Sequence, residues 1–209
     1  MSTEDTEFVV HSMAQTVVDH EKEFGDLDAA AGDGDFGYSL ARGFEVVLSD
    51  WDSYDRSDPS TFLKKVAQTI TSKIGGTSGP IWGTAFLRAA KTADGHDDLD
   101  GATVVEMLRA AVQGIQDRGK AELGDKTLID AIVPGTDALE SAVGSGASGA
   151  DASRAFAEAA RTAAEDTTEL QARRGRASYT GERSKGSPDA GAMAVAVIAE
   201  DLTTRWNER

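Results

Sequence analysis

The sequence predicts an all-α protein, an up-and-down bundle of eight antiparallel helices, on three observations. Apolar residues recur at helical spacing, as in Val104, Met107, Leu108, Ala111, Val112 and Ile115. Helix-start signals recur as well: Asp58 before Pro59, Ser78 and Gly79 before Pro80, then Asp100, Asp151 and Asp189. No sustained stretch alternates apolar and polar residues between turn signals, so no sheet is predicted.

The elements follow in order. A helix near 4–25 is carried by the stripe Val9, Met13, Val17, His20 and Phe24. A second, near 36–50, follows a glycine-rich turn. Asp58-Pro59 opens a helix over 58–74, and Ser78-Gly79-Pro80 opens one over 79–94. Asp100 starts 101–118. The sixth, near 126–144, contains Pro134, which should kink rather than end it because Leu139 and Val143 resume the pattern. Asp151 marks a helix over 150–171, and Asp189 one over 189–207.

The 209 residues suit one domain, 1–209, and 40% hydrophobic content with 6% aromatic gives a core built mainly from Ala, Val, Leu and Ile. Cysteine is absent, which excludes disulfides and thiolate metal sites. No apolar run reaches the roughly 18 residues of a membrane span, and the N-terminus lacks a signal pattern, so a cytoplasmic protein is expected. A net charge of −15 argues against nucleic acid. Asp (22) exceeds Glu (14) and Lys (8) is scarcer than Arg (13), a surface suited to molar salt and a halophilic source.

In an antiparallel bundle alternate loops emerge at one end. Loops 2, 4 and 6 (around 51–57, 94–100 and 145–149) read as plain polar connectors. Loops 1, 3, 5 and 7 hold the unusual chemistry. Loop 1 carries Asp28, Asp33 and Asp35 among glycines, three anions that would repel without a cation between them. All-oxygen ligation there suits Mg²⁺ or Ca²⁺. Loop 3, Gly75-Gly76-Thr77-Ser78-Gly79-Pro80, opens a helix and offers N–H groups and hydroxyls to a phosphate. Loop 5 runs from Arg118 to Thr127. Loop 7, from Gln171 to Pro188, holds Arg173, Arg174, Arg176, Arg183 and Lys185, five of the 21 basic residues of an acidic chain. Arginine grips phosphate oxygens through planar, paired donors. Gathered at one end, these parts describe a nucleotide phosphate site.

Several motifs fail. Gly32 to Gly37 fits G-x-G-x-x-G, but no strand precedes it and its variable positions are acidic. An EF-hand read from Asp33 would place Tyr38 at the sixth position and Phe44 at the twelfth, and no Walker A motif exists. His11, His20 and His96 lie outside the four loops.

Four separated motifs resemble the L subunits of dihydroxyacetone kinases: Gly32-Asp33-Gly34-Asp35-x-Gly37, Gly76-Thr77-Ser78-Gly79-Pro80, Gly124-Asp125-Lys126-Thr127, and Ala172-Arg173-x-Gly175-Arg176-Ala177-Ser178-Tyr179-x-Gly181-Glu182-Arg183-Ser184. The resemblance spans the chain. It implies an all-α barrel of eight antiparallel helices with the nucleotide site at one end. It further implies that Asp28, Asp33 and Asp35 hold two Mg²⁺ ions bridging the phosphates of ADP or ATP. The nucleotide would also be held by Phe36, Gly37, Tyr38, Ser39, Thr77, Ser78, Gly119, Leu128, Arg176, Asp189, Ala190 and Gly191.

The chain resembles only the L portion, so a separate K subunit carrying dihydroxyacetone is expected. Separate subunits resemble the phosphotransferase-system type, in which bound ADP is a coenzyme rephosphorylated by an M subunit. Phe36 departs from that pattern: members of that type carry His there, and ATP-dependent ones a small residue. The donor is therefore open between the relay and free ATP. A nucleotide-state-sensing regulatory module is the alternative from another class, and a homodimer is left open.

Overall fold

The computed structural model describes residues 1–209. Nine α-helices make up the protein: α1 Thr3–Asp19, α2 Glu21–Ala29, α3 Phe36–Ser49, α4 Pro59–Lys73, α5 Ser78–Thr92, α6 Gly101–Gly119, α7 Ile129–Gly144, α8 Gly149–Asp166 and α9 Ala190–Asn207. Short 3₁₀ stretches cover Trp51–Ser53, Thr167–Glu169 and Arg176–Ser184. There is no strand, as the missing alternation predicts.

The expected first helix is a kinked pair. The His20 N–H still donates to Thr16 O (3.0 Å) and the Phe24 N–H to His20 O (3.0 Å), so the ladder enters and leaves the joint. The bend is tertiary in origin. His20 meets Glu23 (2.7 Å) and Asp201 of α9 (3.7 Å), and the Thr16 hydroxyl donates to the same Asp201 (3.0 Å). No proline or glycine announces it. The buried stripe of α1 is Thr6, Val10, Ala14 and Val17, one step round from the expected one.

Three of the start signals cap as read. Asp58, Asp100 and Asp189 accept from the N–H groups of Thr61, Thr103 and Ala192, each at 2.8 Å. The α8 cap is Ser148 instead of Asp151, and the Asp151 N–H donates to its hydroxyl (3.1 Å). Residue 126 lies outside α7, which begins at Ile129 and continues through Pro134. Early in the helix the missing proline N–H leaves one carbonyl without its donor, a cost that the surrounding packing absorbs.

Consecutive helices pack in order from α1 and α2 round to α9, and α9 returns to α1 and α2, so the ring closes into a barrel. Its main core includes Phe24, Leu40, Phe44, Phe62, Ile70 and Trp82. Phe24, Phe44 and Phe62 are fully buried, each contributing about 2–3 kcal/mol of apolar burial. α9 is enclosed on every side from Ala192 to Ala199, and its alanines let the neighbouring helices approach closely. One end of the barrel is sealed. Trp51 and Tyr54 stack edge-on against Phe62, and Leu99 is buried with its N–H on Met1 O (2.8 Å). The connector at 51–57 is thus an aromatic cap, not the plain polar loop its composition suggests. The opposite end carries the loops at 30–35, 74–77, 120–128 and 167–189.

Candidate functional site

Asp28, Asp33 and Asp35 come together, each offering an oxygen, with these atoms all within 4.8 Å of one another. Asp28 sits on the last turn of α2, not in the loop, and its carboxylate turns inward. Its Oδ2 accepts from the Gly34 N–H (2.8 Å) and the Phe36 N–H (3.4 Å). A side chain at 32 would put its Cβ 2.2 Å from Asp28 Oδ1 and 2.9 Å from the Asp28 carbonyl oxygen, so it would push the carboxylate out of this position. Gly34, at φ +77°, turns the chain back. Asp33 and Asp35 are half-exposed, and the Arg176 guanidinium reaches both: it pairs closely with Asp33 and lies 3.3 Å from Asp35 Oδ2. A cationic group thus already stands against two of the three carboxylates. The donor set is all oxygen, which fits a hard divalent cation.

The other loops connect around this cluster. Gly75 lies against Ser39 at the start of α3, and Gly119 against Ile81 on the first turn of α5. Gly191, on the first turn of α9, faces Leu128 of the 120–128 loop. The 167–189 loop meets the 120–128 loop through Arg174 Nε and Asp125 Oδ2 (2.8 Å). The grouping expected from parity is therefore realised in space.

Individual positions fit phosphate recognition unequally. Thr77 precedes α5 without a side-chain cap, leaving its hydroxyl and the Ser78 and Gly79 N–H groups uncommitted. The Thr127 hydroxyl is buried without a partner in the chain, an orphan donor at the head of α7. Gly37 must be glycine, because a Cβ would lie 2.0 Å from Glu21 O. Phe36 turns inward, packed on the core with its ring 6.4 Å from that of Phe24. Tyr38 is exposed and its ring stacks under Arg42 (5.2 Å). Ala190 is buried and contributes backbone alone. Asp125, Lys126 and Asp130 were given no role by sequence reasoning, yet all three are buried. The sequence signal was the Gly124-Asp125-Lys126-Thr127 motif, which marks Asp125 and Lys126 but says nothing of their burial, and Asp130 carried none.

Asp189 caps α9 while its own N–H donates to Thr167 Oγ1 (2.8 Å). Burial pushes its carboxyl from 3.8 up to about 7, against the opposing pull of the Ala192 N–H and the Lys126 ammonium. A carboxyl raised by folding stabilises the fold below its ordinary value and loses that contribution as pH climbs through the raised one. Unfolding free energy should therefore carry a decline of about 2 kcal/mol between about pH 4 and 7, discounted because the residue keeps part of its surface. Asp189→Asn should remove that decline. Urea titrations at several pH values check it, and an identical slope in the variant would refute the assignment.

The comparisons identify the family. The DAK2 domain family matches residues 30–204. The chain is 39% identical, over 87% of both sequences, to the Escherichia coli (strain K12) PEP-dependent dihydroxyacetone kinase, ADP-binding subunit DhaL. It is 38% identical to the L-erythrulose 1-kinase of Mycolicibacterium smegmatis, covering 93% of this chain and 34% of that protein. Among solved structures it resembles the dihydroxyacetone kinase of C. freundii, with a TM-score of 0.75 and 25% identity. That match covers 96% of this chain but only about a third (34%) of the larger kinase. The chain belongs to the DAK2 domain family, alongside the ADP-binding DhaL subunits.

Proposed function

We propose that residues 1–209 act as the nucleotide-binding subunit of a dihydroxyacetone kinase. It would transfer a phosphoryl group from bound nucleotide to dihydroxyacetone carried by a K subunit. One observation carries the reading: a three-aspartate cluster and an arginine loop meet at one end of a chain closely similar to an ADP-binding subunit. Asp28, Asp33 and Asp35 would hold two Mg²⁺ ions, which supply charge neutralisation to the phosphates when bound. Gly34 keeps the Asp28 carboxylate aimed, so little reorganisation is needed on loading. Thr77, Ser78 and the α5 N-terminus would receive phosphate oxygens. Leu128, Gly119 and Asp189 to Gly191 would line the remaining nucleotide. Arg176 would leave the carboxylates and offset charge on the transferring group. No general base is assigned to this chain, because the hydroxyl of dihydroxyacetone would be deprotonated by the K subunit that carries it.

For the donor we favour a phosphotransferase-system M subunit, with ADP retained as coenzyme. Phe36 supports the second reading, free ATP, because its inward ring offers no imidazole to a phosphate. Turnover with the K subunit and ATP, in the absence of any M subunit, separates them: the relay predicts at most one turnover, and sustained turnover would establish the ATP-dependent form. Running the same assay with erythrulose tests the acceptor, since that ketose is named for a relative. No helix is long and apolar enough to cross a membrane, and a cytoplasmic location goes with the proposal.

The Asp-rich, Lys-poor surface is proposed as adaptation to molar salt. The melting temperature should then rise by about 10 °C between roughly 0.1 and 2 M KCl, as counterions mute self-repulsion. A flat or falling profile in thermal melts would rule out that adaptation.

A further inference from the structure

We infer that Lys126 and Asp125 are positioning residues that clamp the neck of the 167–189 loop and so hold Arg176 over the carboxylates. The inference rests on the reading of Arg176 as a phosphate-contacting residue. The Lys126 ammonium donates to Thr167 O (2.7 Å) and to Ser187 O (2.6 Å). Those two carbonyls stand at opposite ends of the loop, so a single buried charge ties its entry to its exit. The adjacent Asp125 grips the loop further in. Its backbone oxygen accepts from the Arg173 N–H (3.0 Å), and its carboxylate accepts from Arg174 Nε (2.8 Å) and from the Glu122 N–H (3.0 Å). Arg176 lies two residues beyond this grip.

Both residues are committed to the task at a cost. Lys126 is only 3% exposed, and its backbone is at φ +63°, a left-handed conformation that disfavours a side chain. A lysine serving solubility would need neither feature. A buried ammonium is tolerated when its protons are paired, and the two carbonyls take two of its three. Burial pushes the Lys126 pKa down, and the charges of Asp189 and Glu169 oppose that shift. Burial likewise pushes Asp125 up, but Arg174 and the Glu122 N–H more than offset it, and the carboxyl ends below its ordinary value. The neck has further ties, Gly186 N–H to Thr168 O (3.0 Å) and Ala172 N–H to Ser184 Oγ (2.9 Å). Between them the loop tip, with Arg176 and the kink at Gly181, stands out from a fixed base.

The test compares Lys126→Met, Arg174→Met and each of these combined with Arg176→Ala. Tryptic cleavage after Arg183 should accelerate about tenfold in Lys126→Met, and less in Arg174→Met, as the neck loosens. Phosphoryl transfer with the K subunit should fall about tenfold in Lys126→Met, with Mg-ADP affinity changed far less. Lys126→Met combined with Arg176→Ala should be no slower than Arg176→Ala alone, because the lysine acts through the arginine. Losses that multiply in the double variant would overturn the inference, since a general structural defect would behave that way. Should Lys126→Met fail to fold by circular dichroism, Arg174→Met decides, because its half-exposed side chain can be removed without opening the core. Unchanged cleavage in Arg174→Met would then overturn the clamp, whether or not the wild-type protein binds Mg-ADP.

Discussion

Asp33→Asn and Asp35→Asn are each expected to abolish tight Mg-ADP binding while leaving the helical fold intact. Both carboxylates are half-exposed and at the tip of a loop, so neither supports the core. Their role is charge: with Asp28 they place three anionic oxygens within one ion's reach. Removing one anionic ligand beside a diphosphate should cost about 3–5 kcal/mol, or two to four powers of ten in affinity. Asp28→Asn should lose binding too, with some loss of stability, because its carboxylate also fastens the 30–35 turn through the Gly34 N–H. Calorimetric titration with Mg-ADP measures all three. Wild-type affinity in Asp33→Asn or Asp35→Asn would sink the metal role.

The second large effect is at Arg176. Arg176→Ala should slow phosphoryl transfer by about a thousandfold, while Arg173→Ala stays within about threefold of wild type. The difference follows from engagement. Arg173 contributes a backbone N–H to Asp125, and Arg174 is paired with the Asp125 carboxylate. Only Arg176 has its guanidinium at the aspartate cluster. The same contact yields a readout that needs no partner subunit. Arg176 and a divalent cation compete for Asp33 and Asp35, so Arg176→Ala should bind Mn²⁺ alone about three- to tenfold more tightly. Equal transfer rates in the two variants, measured with the K subunit present, would contradict the assignment.

The sequence alone was enough for the fold class, because helical periodicity and capping are local. Asp58, Asp100 and Asp189 cap the helices they were read to start. Alternation of direction in a bundle then assigns loops to ends by counting, which needs no coordinates, and the four chemically unusual loops do share an end. The three aspartates were legible because glycine spacing and like charge are themselves sequence properties.

What tertiary structure decided lies where distant segments meet. The bend at His20 depends on Asp201, far along the chain, and leaves no mark in residues 4–25. Ser148 displaces Asp151 as the α8 cap because cap identity depends on where the preceding turn places the backbone. Phe36 turns inward because Phe24 and the core accept its ring, which neighbouring residues cannot disclose. Lys126 belongs to the Gly124-Asp125-Lys126-Thr127 motif in sequence, but nothing in that motif says that its charge is buried. Only the fold brings the carbonyls of Thr167 and Ser187 to its ammonium, since burial of a charge is settled by partners far along the chain and not by its neighbours in sequence.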